Sequence, residues 1–138
     1  MGKAWIIGVA GLIMAPAPAL PASPVAATDP VNRSWTVYFD FDSSWVTPEG
    51  GAVLDVIAAQ YARTPEPIRI EGHTDRMNDA AYDLGLSRRM AESAQAYLVA
   101  KGVPASAITI EAYGDTRPRI PTDQGVREPL NRRVEISM

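Results

Sequence analysis

The chain of 138 residues contains no cysteine and a single histidine, His73. Without thiols, the chain cannot form disulfide bonds, cysteine-ligated zinc or iron–sulfur sites, or a thiol nucleophile, and it has no cysteine to carry a lipid. A metal site that needs two histidines is excluded as well. The chemistry of this chain therefore rests on carboxylate, hydroxyl, amide and guanidinium groups.

Basic residues are too few for a nucleic-acid-binding protein. The chain has 13 lysine and arginine residues against 16 aspartate and glutamate residues, so its formal charge is −3 at pH 7. A nucleic-acid-binding domain needs a strongly positive face, and we expect no nucleic-acid partner. The hydrophobic fraction of 46% is high enough for a folded core and argues against disorder.

The N-terminal segment has almost no charge, because Lys3 is the only charged residue before Asp29. The apolar run at residues 4–14 has the length of the hydrophobic region of a signal peptide, and it is shorter than the roughly 20 residues that span a bilayer. Val25-Ala26-Ala27 is the preferred cleavage site, and Ala17-Pro18-Ala19 is the second choice. The sequence therefore predicts a signal peptide at residues 1–27 that directs export to the periplasm, with an uncleaved N-terminal anchor as the alternative.

After a short linker at residues 28–35, the pattern of side chains predicts one domain at residues 36–138. Apolar residues at helical spacing predict two helices, one beginning at Thr47 and one running from Asp79 to Lys101. Alternation of apolar and polar residues predicts strands at residues 36–41, 68–73, 108–112 and 134–138. This order, β-α-β-α-β-β, predicts an α+β two-layer sandwich with both main helices on one face of a four-stranded mixed sheet.

The second predicted helix presents an apolar stripe to the core. Its members lie within about 80° of each other at about 100° per residue, and they are Leu84, Ala91, Ala94 and Leu98. Met90 lies at the shoulder of this stripe. Arg89 lies about 180° from it, so we expect Arg89 to face water.

Three segments carry polar groups that a ligand could use. They are Gly72-His73-Thr74-Asp75 after a strand, Leu86-Ser87-Arg88-Arg89-Met90-Ala91 in the second helix, and Asn131-Arg132-Arg133 before the last strand. Each also has a plain structural interpretation: a turn in which Asp75 caps backbone amides, a solvated basic helix face, and a charged edge strand. We expect no cofactor, and no metal site at His73 and Asp75, because no second histidine or acidic cluster accompanies them.

Taken together, six segments resemble the OmpA C-terminal-like family, in the family's order and spacing, over about residues 36–137. They are Val37–Asp42, Gly72–Arg76, Ala81–Ser87, Gly102–Pro104, Tyr113–Asp115 and Val126–Ile136. The resemblance implies the same sandwich and a periplasmic module that binds peptidoglycan without a covalent bond. Family members bind the diaminopimelate of the stem peptide: an aspartate of Gly-x-Thr-Asp holds its ammonium, and an arginine of Leu-Ser-x-x-Arg-Ala holds its carboxylate.

The aspartate of the family motif corresponds to Asp75, and Thr74 and His73 precede it within the same motif. The arginine has no counterpart, because Met90 stands at its position and Arg89 lies one residue before it. Methionine cannot donate a hydrogen bond to a carboxylate. The resemblance therefore implies an ammonium site, and it leaves the carboxylate without its usual partner.

Asn131 also stands where the family has it, and Arg132 and Arg133 follow. We include all three among the expected ligand-binding residues, because a guanidinium can fork onto a carboxylate. Asp83 and Asn78 depart from the family, which usually has asparagine and glycine at these positions. The extra negative charge of Asp83 would repel a carboxylate.

The resemblance implies that the protein binds the diaminopimelate of peptidoglycan and links the cell envelope to the cell wall, in the periplasm and in association with the outer membrane. Outer-membrane proteins are a second class of partner to consider. The alternative is an envelope structural or interaction module of the same fold whose peptidoglycan binding is weakened or lost. An enzyme is not expected, because no nucleophile–base pair is visible in the sequence.

Overall fold

The computed structural model describes residues 33–138, which form a four-stranded sheet and two long helices. The strands are β1 (Ser34–Tyr38), β2 (Ile68–His73), β3 (Ile108–Gly114) and β4 (Arg133–Ser137), and the helices are α1 (Pro48–Arg63) and α2 (Ala80–Ala100). Short 3-10 helices at Ala105–Ala107 and Pro129–Asn131 precede β3 and β4. The order of elements confirms the predicted α+β sandwich of two helices on a four-stranded mixed sheet.

The sheet has the strand order β1-β4-β2-β3. β4 pairs antiparallel with both β1 and β2, whereas β2 and β3 pair in parallel. β1, β2 and β3 therefore run in one direction and β4 runs against them. The last strand in sequence occupies an interior place and joins β1 to the β2–β3 pair.

This topology brings four loops to one edge of the sheet. Tyr38 of β1 and His73 of β2 both pair with Arg133, the first residue of β4, and His73 also pairs with Gly114, the last residue of β3. The carboxyl ends of three strands and the amino end of the fourth thus lie side by side. Because the loop after β2 leads into α2, the start of this helix lies at the same edge.

Both long helices begin at side-chain caps that can be read in the sequence. The Thr47 hydroxyl accepts a hydrogen bond from the backbone N–H of Gly50 at 3.0 Å, and Pro48 takes the first position of α1. The Asp79 carboxylate accepts a hydrogen bond from the backbone N–H of Tyr82 at 2.8 Å. This second cap fixes the point at which the loop after β2 ends and α2 begins.

The core lies between the sheet and the helices. Its large, fully buried side chains include Val37, Leu54, Ile57, Ile70, Met90, Leu98, Val134 and Ile136. The prediction that Leu84 belongs to the core stripe of α2 is wrong, because this residue is 47% exposed. In the first turns of α2 the buried positions include the polar residues Asp83 and Ser87. A buried face predicted from apolar residues alone therefore omits these two positions.

Two glycines allow α2 to approach the sheet closely. A Cβ atom on Gly72 would lie 2.1 Å from the backbone oxygen of Ser87, so no larger residue fits at this point of β2. Gly114 has a φ of +57°, and a Cβ atom there would lie 3.1 Å from the backbone nitrogen of Leu84. The Ser87 hydroxyl accepts a hydrogen bond from the Gly114 N–H at 2.9 Å. These contacts hold the first turns of α2 against the ends of β2 and β3.

The first strand is shorter than the predicted strand at residues 36–41. It begins at Ser34 and ends at Tyr38, and a turn follows in which the Ser43 N–H donates to the Asp40 carbonyl at 3.2 Å. The strand begins within the segment assigned to the linker. The predicted signal peptide at residues 1–27 lies outside the described residues. No helix in the described part of the chain has both the length and the apolar character to cross a membrane.

Candidate functional site

Asp75 lies in the loop that follows β2, at the edge where the strand ends meet. The residue is only 3% exposed. Its Oδ2 atom accepts two hydrogen bonds, from Nη1 of Arg132 at 2.9 Å and from the backbone N–H of Glu128 at 3.2 Å. No described residue donates to Oδ1, and Oδ1 is not among the buried atoms without a partner. One oxygen therefore fixes the carboxylate, and the other accepts no hydrogen bond from the described residues.

Asn131 and the chain around it position Arg132. The buried side chain of Asn131 donates to the Ile120 carbonyl at 2.8 Å and accepts from the Ile120 N–H at 2.8 Å. Arg132 also donates from Nε to the Phe39 carbonyl at 3.3 Å. Both polar ends of the Asn131 amide are thus used within the fold, so Asn131 orients the segment that carries Arg132 toward Asp75.

Aromatic and charged side chains form a rim beside Arg132, whose Cζ lies 5.7 Å from the centroid of the Phe41 ring. The Phe41 ring centroid lies 3.7 Å from Cζ of Arg127. In the first turn of α2, the Tyr82 hydroxyl donates a hydrogen bond to the Asp42 carboxylate. Cζ of Arg89 lies 5.9 Å from the centroid of the Tyr82 ring. Arg89 is exposed, as predicted, and the structure pairs it with Tyr82 at the rim.

Thr74 and Asp83 contribute buried polar atoms that have no partner among residues 33–138. The Thr74 N–H donates to the Gly114 carbonyl at 2.8 Å, but the Thr74 hydroxyl is buried and unpaired. Asp83 is 0% exposed, and neither of its carboxylate oxygens meets the geometry of a hydrogen bond. A buried carboxylate without donors is costly, so this residue needs a physical explanation.

The surroundings of Asp83 favour its neutral form. Burial is the main cause that raises its pKa to about 6, from an ordinary value of 3.8. The negative charges of Asp115 and Asp75 raise the pKa as well. Asn78 lies close enough to lower it, although its groups do not reach hydrogen-bond geometry with either carboxylate oxygen. At pH 7 a carboxyl group with this pKa is still mostly ionised.

His73 and Arg133 lie on the open face of the sheet, away from the helices. His73 is buried there, and its ring stacks on Tyr113 with the ring centroids 5.4 Å apart. Arg133 donates from Nε to Glu135 at 2.8 Å and from Nη2 to the Arg117 carbonyl at 3.2 Å. The structure does not bring these two residues to Asp75, although they neighbour Thr74 and Arg132 in the sequence.

Met90 is part of the hydrophobic core rather than of the ligand site. It is 1% exposed and belongs to the same cluster as Leu86 and Ala94. The expectation that it lies at the shoulder of the buried face is wrong, because Leu86, Met90 and Ala94 together form that face. Of the cations expected from the sequence, Arg132 is the one that the structure places against Asp75.

A cavity of about 360 Å³ adjoins the Asp75–Arg132 pair. Arg132 lines it, and the other walls come mainly from β1, the start of α1 and the segment before β4; they include Val37, Phe39, Val53, Pro129 and Leu130. The arrangement thus combines a fixed carboxylate, an adjacent guanidinium and an apolar hollow. In residues 33–138, no three histidine or acidic side chains are placed to hold a metal ion.

Sequence reasoning assigned no binding role to Asp83, although it noted the extra negative charge. The departure from the usual asparagine was the available signal. Its complete burial was not visible, because the apolar stripe was drawn through Leu84. Thr74, Asp75 and Arg132 are the expected residues that the structure brings together, with Asn131 behind Arg132.

Comparison with known proteins agrees with the fold and with the six sequence segments. The model of the OmpA family matches residues 38–132. An outer membrane protein of Gluconacetobacter diazotrophicus is 42% identical over 114 residues, which are 75% of this chain and 29% of the relative. The chain therefore spans less than a third of the length of that relative.

Two further proteins are similar over most of the described domain. The peptidoglycan-associated lipoprotein of Pseudomonas aeruginosa is 36% identical over 101 residues, covering 73% of this chain and 60% of the relative. The crystal structure of the peptidoglycan-associated lipoprotein from Burkholderia pseudomallei superposes with a TM-score of 0.69 at 29% identity, covering 74% of this chain and 87% of the other.

Proposed function

Because the chain belongs to the OmpA family, we propose that its domain binds peptidoglycan without a covalent bond, through the diaminopimelate of the stem peptide. The binding would connect the cell envelope to the cell wall from the periplasm, after export and removal of residues 1–27. Relatives named as peptidoglycan-associated lipoproteins support the proposal. It includes no catalytic step.

The observation that carries this proposal is the state of Asp75. Its carboxylate is nearly buried and held by Arg132 and Glu128 through one oxygen, which leaves the other to accept from a ligand ammonium. A charge-assisted hydrogen bond in such a sheltered place is stronger than one at the surface. The apolar cavity beside Arg132 offers the rest of the peptide a surface to pack on.

A second candidate function is an envelope module of the same fold with weakened peptidoglycan binding. The Asp75–Arg132 ion pair favours it, because a ligand ammonium must share Asp75 with a guanidinium 2.9 Å away. The burial of Met90 favours it as well, because the core-facing methionine offers a ligand carboxylate no donor.

Sedimentation with purified sacculi tests the proposal. We expect Asp75→Ala to bind roughly tenfold to a hundredfold more weakly than the parent, the loss of about 1.5–3 kcal/mol for a charged hydrogen bond. Asp75→Asn keeps the shape of the side chain and should lose affinity in the same way. Glu92→Ala, which removes an exposed carboxylate of α2, is the matched control and should bind like the parent. Equal binding by the parent and a folded Asp75→Asn would exclude Asp75 as the contact, and a parent that does not sediment with sacculi would favour the second candidate.

A further inference from the structure

We propose, resting on the function above, that this site prefers a stem-peptide diamino acid whose ammonium neighbours a neutral amide over one whose ammonium neighbours a free carboxylate. The reason is an excess of buried negative charge around Asp75. Asp83, to which the sequence assigned no binding role, supplies that excess. The ligand that fits best therefore carries a net positive charge at the end that binds Asp75.

The charge balance of the region follows from its ion pairs. Backbone contacts bring Asp75, Asp83 and Asp115 together: a Cβ atom on Gly114, the residue before Asp115, would lie 3.3 Å from the backbone carbonyl carbon of Asp83, and the Gly114 carbonyl accepts from the N–H of Thr74, the residue before Asp75, at 2.8 Å. Arg132 is bonded to Asp75 at 2.9 Å, and Arg76 lies 3.8 Å from Asp115. No cation in the described part of the chain pairs with Asp83, so the group of three acids and two arginines keeps one uncompensated negative charge.

The two arginines are also held by other contacts. Arg76 donates to the Thr122 carbonyl at 2.9 Å and to the Gln124 side chain at 3.2 Å. Arg132 donates to the Phe39 carbonyl at 3.3 Å. Neither cation is free to turn toward Asp83 without breaking these bonds. The negative charge of Asp83 therefore acts on any ligand group bound to Asp75. This interaction is strong because both carboxylates are buried away from water.

The unpaired atoms of the region point to the same ligand chemistry. They include the two carboxylate oxygens of Asp83, which only accept hydrogen bonds when ionised, and the hydroxyls of Thr74 and Thr122, which can donate and accept. An ammonium brings three donors and an amide NH₂ brings two more, whereas a carboxylate brings acceptors only. A free carboxylate could accept from the Thr74 hydroxyl, but it would add a second negative charge beside Asp83 and leave both Asp83 oxygens without a donor.

A metal ion is a poorer occupant than an ammonium. The three acids are not arranged as a group that could hold a metal ion within residues 33–138. An ammonium needs no shared coordination sphere, because it can donate to Asp75 while the negative charge of Asp83 attracts it. Neither carboxylate oxygen of Asp83 has a hydrogen-bond partner among the described residues, so nothing in that part of the chain compensates its charge.

The test uses two muropeptides that differ only in the side-chain carboxyl of the diamino acid, one free and one amidated. Each is titrated by calorimetry into the purified protein at pH 7.5 and the same low salt concentration. We expect the amidated muropeptide to bind at least roughly tenfold more tightly. Asp83→Asn keeps the size of the side chain and removes its charge, so it should bring the two affinities to within a factor of about three.

Glu92→Gln is the matched control, since it removes the charge of an exposed carboxylate on the same helix and should keep the preference of the parent. Equal affinities in the parent, or tighter binding of the free acid, would overturn the inference and leave the proposed function standing. An unchanged preference in a folded Asp83→Asn would overturn it too. A parent that binds neither muropeptide nor sacculi would overturn the proposed function along with it.

Discussion

Each side of the β2 end buries a side chain whose pKa is shifted by burial, and the two residues respond to burial differently. His73 lies on the open face, 2% exposed, and Asp83 lies on the buried face of α2. Neither side chain makes a hydrogen bond within the described residues. The imidazole can give up its charge at neutral pH and pack as an aromatic ring on Tyr113. The carboxylate keeps its charge at pH 7, so only that side is prepared for a cation.

The shifts in pKa show how each group responds to burial. Burial, together with the positive charge of Arg133, lowers the pKa of His73 to about 4, although Glu135 opposes the shift and Arg117 adds to it. Burial raises the pKa of Asp83 to about 6. In both cases the neutral form is favoured in the folded state. The two pKa shifts change the pH dependence of stability in opposite directions, because His73 loses a proton to become neutral, whereas Asp83 gains one.

Gly72 separates the two sides, and its substitution should have the largest effect on stability. A Cβ atom at this position would lie 2.1 Å from the Ser87 carbonyl oxygen, so Gly72→Ala must push α2 away from the sheet. We expect the free energy of unfolding to fall by about 3 kcal/mol. Gly85→Ala is the control, because its Cβ meets only the end of Arg89 at 3.5 Å. Denaturant titration should show Gly85→Ala equal to or slightly more stable than the parent; a parent-like Gly72→Ala would refute the close contact.

Asp83→Asn should change the pH dependence of stability. Folding raises the pKa of Asp83 from 3.8 to about 6, so the folded state binds this proton more tightly. The carboxylate therefore destabilises the fold above about pH 6, and the effect is relieved as the pH falls toward 3.8. At pH 7.5 we expect Asp83→Asn to be more stable by roughly 1–2 kcal/mol. Denaturant titrations from pH 4.5 to 7.5 measure it, and a constant offset from the parent at every pH would contradict the assignment.

His73→Phe should change the pH dependence of stability in the direction opposite to Asp83→Asn. Folding lowers the pKa of His73 from 6.5 to about 4, so the unfolded state binds this proton more tightly. The contribution of the neutral imidazole is complete above pH 6.5 and is lost as the pH falls toward 4. His73→Phe removes that loss, so between pH 6.5 and 4.5 it should gain roughly 1–2 kcal/mol relative to the parent.

The double variant sharpens this comparison. In the parent, the pKa shifts of His73 and Asp83 act over overlapping pH ranges and change stability in opposite directions. The variant that lacks both groups should therefore show a pH dependence of stability close to that of the parent. His73→Phe should also bind sacculi like the parent, since His73 lies away from Asp75. If His73→Phe lost sacculus binding while remaining folded, His73 would have to be counted among the ligand-binding residues.

Arg117→Ala should have the smallest effect. Cζ of Arg117 lies 3.7 Å from the centroid of Tyr113, the ring that covers His73. A cation over an aromatic ring at an exposed position contributes about 0.5–1 kcal/mol, so a slightly lower melting temperature is the expected result. Arg88→Ala, on the exposed face of α2, is the control and should melt with the parent. A melting temperature of Arg117→Ala equal to this control would mean that the contact adds nothing.

Local sequence signals determined most of the fold. The caps at Thr47 and Asp79 marked both helix starts, and alternation marked the four strands, since these signals depend on a few neighbouring residues. The rotation of α2 could not be predicted, because its buried positions near the site are polar. Whether a side chain near a strand end faces Asp75 or the open face of the sheet depends on the exact residue at which the strand begins. The sequence therefore could not show that Arg132 contacts Asp75 and that Arg133 lies on the open face.

The candidate site was predictable at Thr74 and Asp75, where a glycine-containing motif ends a strand. The partner of Asp75 was not, because the contact between Asp75 and Arg132 joins residues 57 positions apart. Such a contact follows from the interior place of β4 in the sheet, and no local pattern encodes it.

The pairing of β1 with β4 determines how the domain carries mechanical force. Ser34 pairs with Ser137 at one end of the ladder, and Tyr38 pairs with Arg133 at the end that holds the site. If a ligand holds the domain at Asp75, as proposed, and the chain is pulled at residue 33, the force runs along β1. It slides the strand against its neighbour and loads all the hydrogen bonds between the strands at once. A ladder loaded in this direction resists tension far better than one that is peeled apart bond by bond.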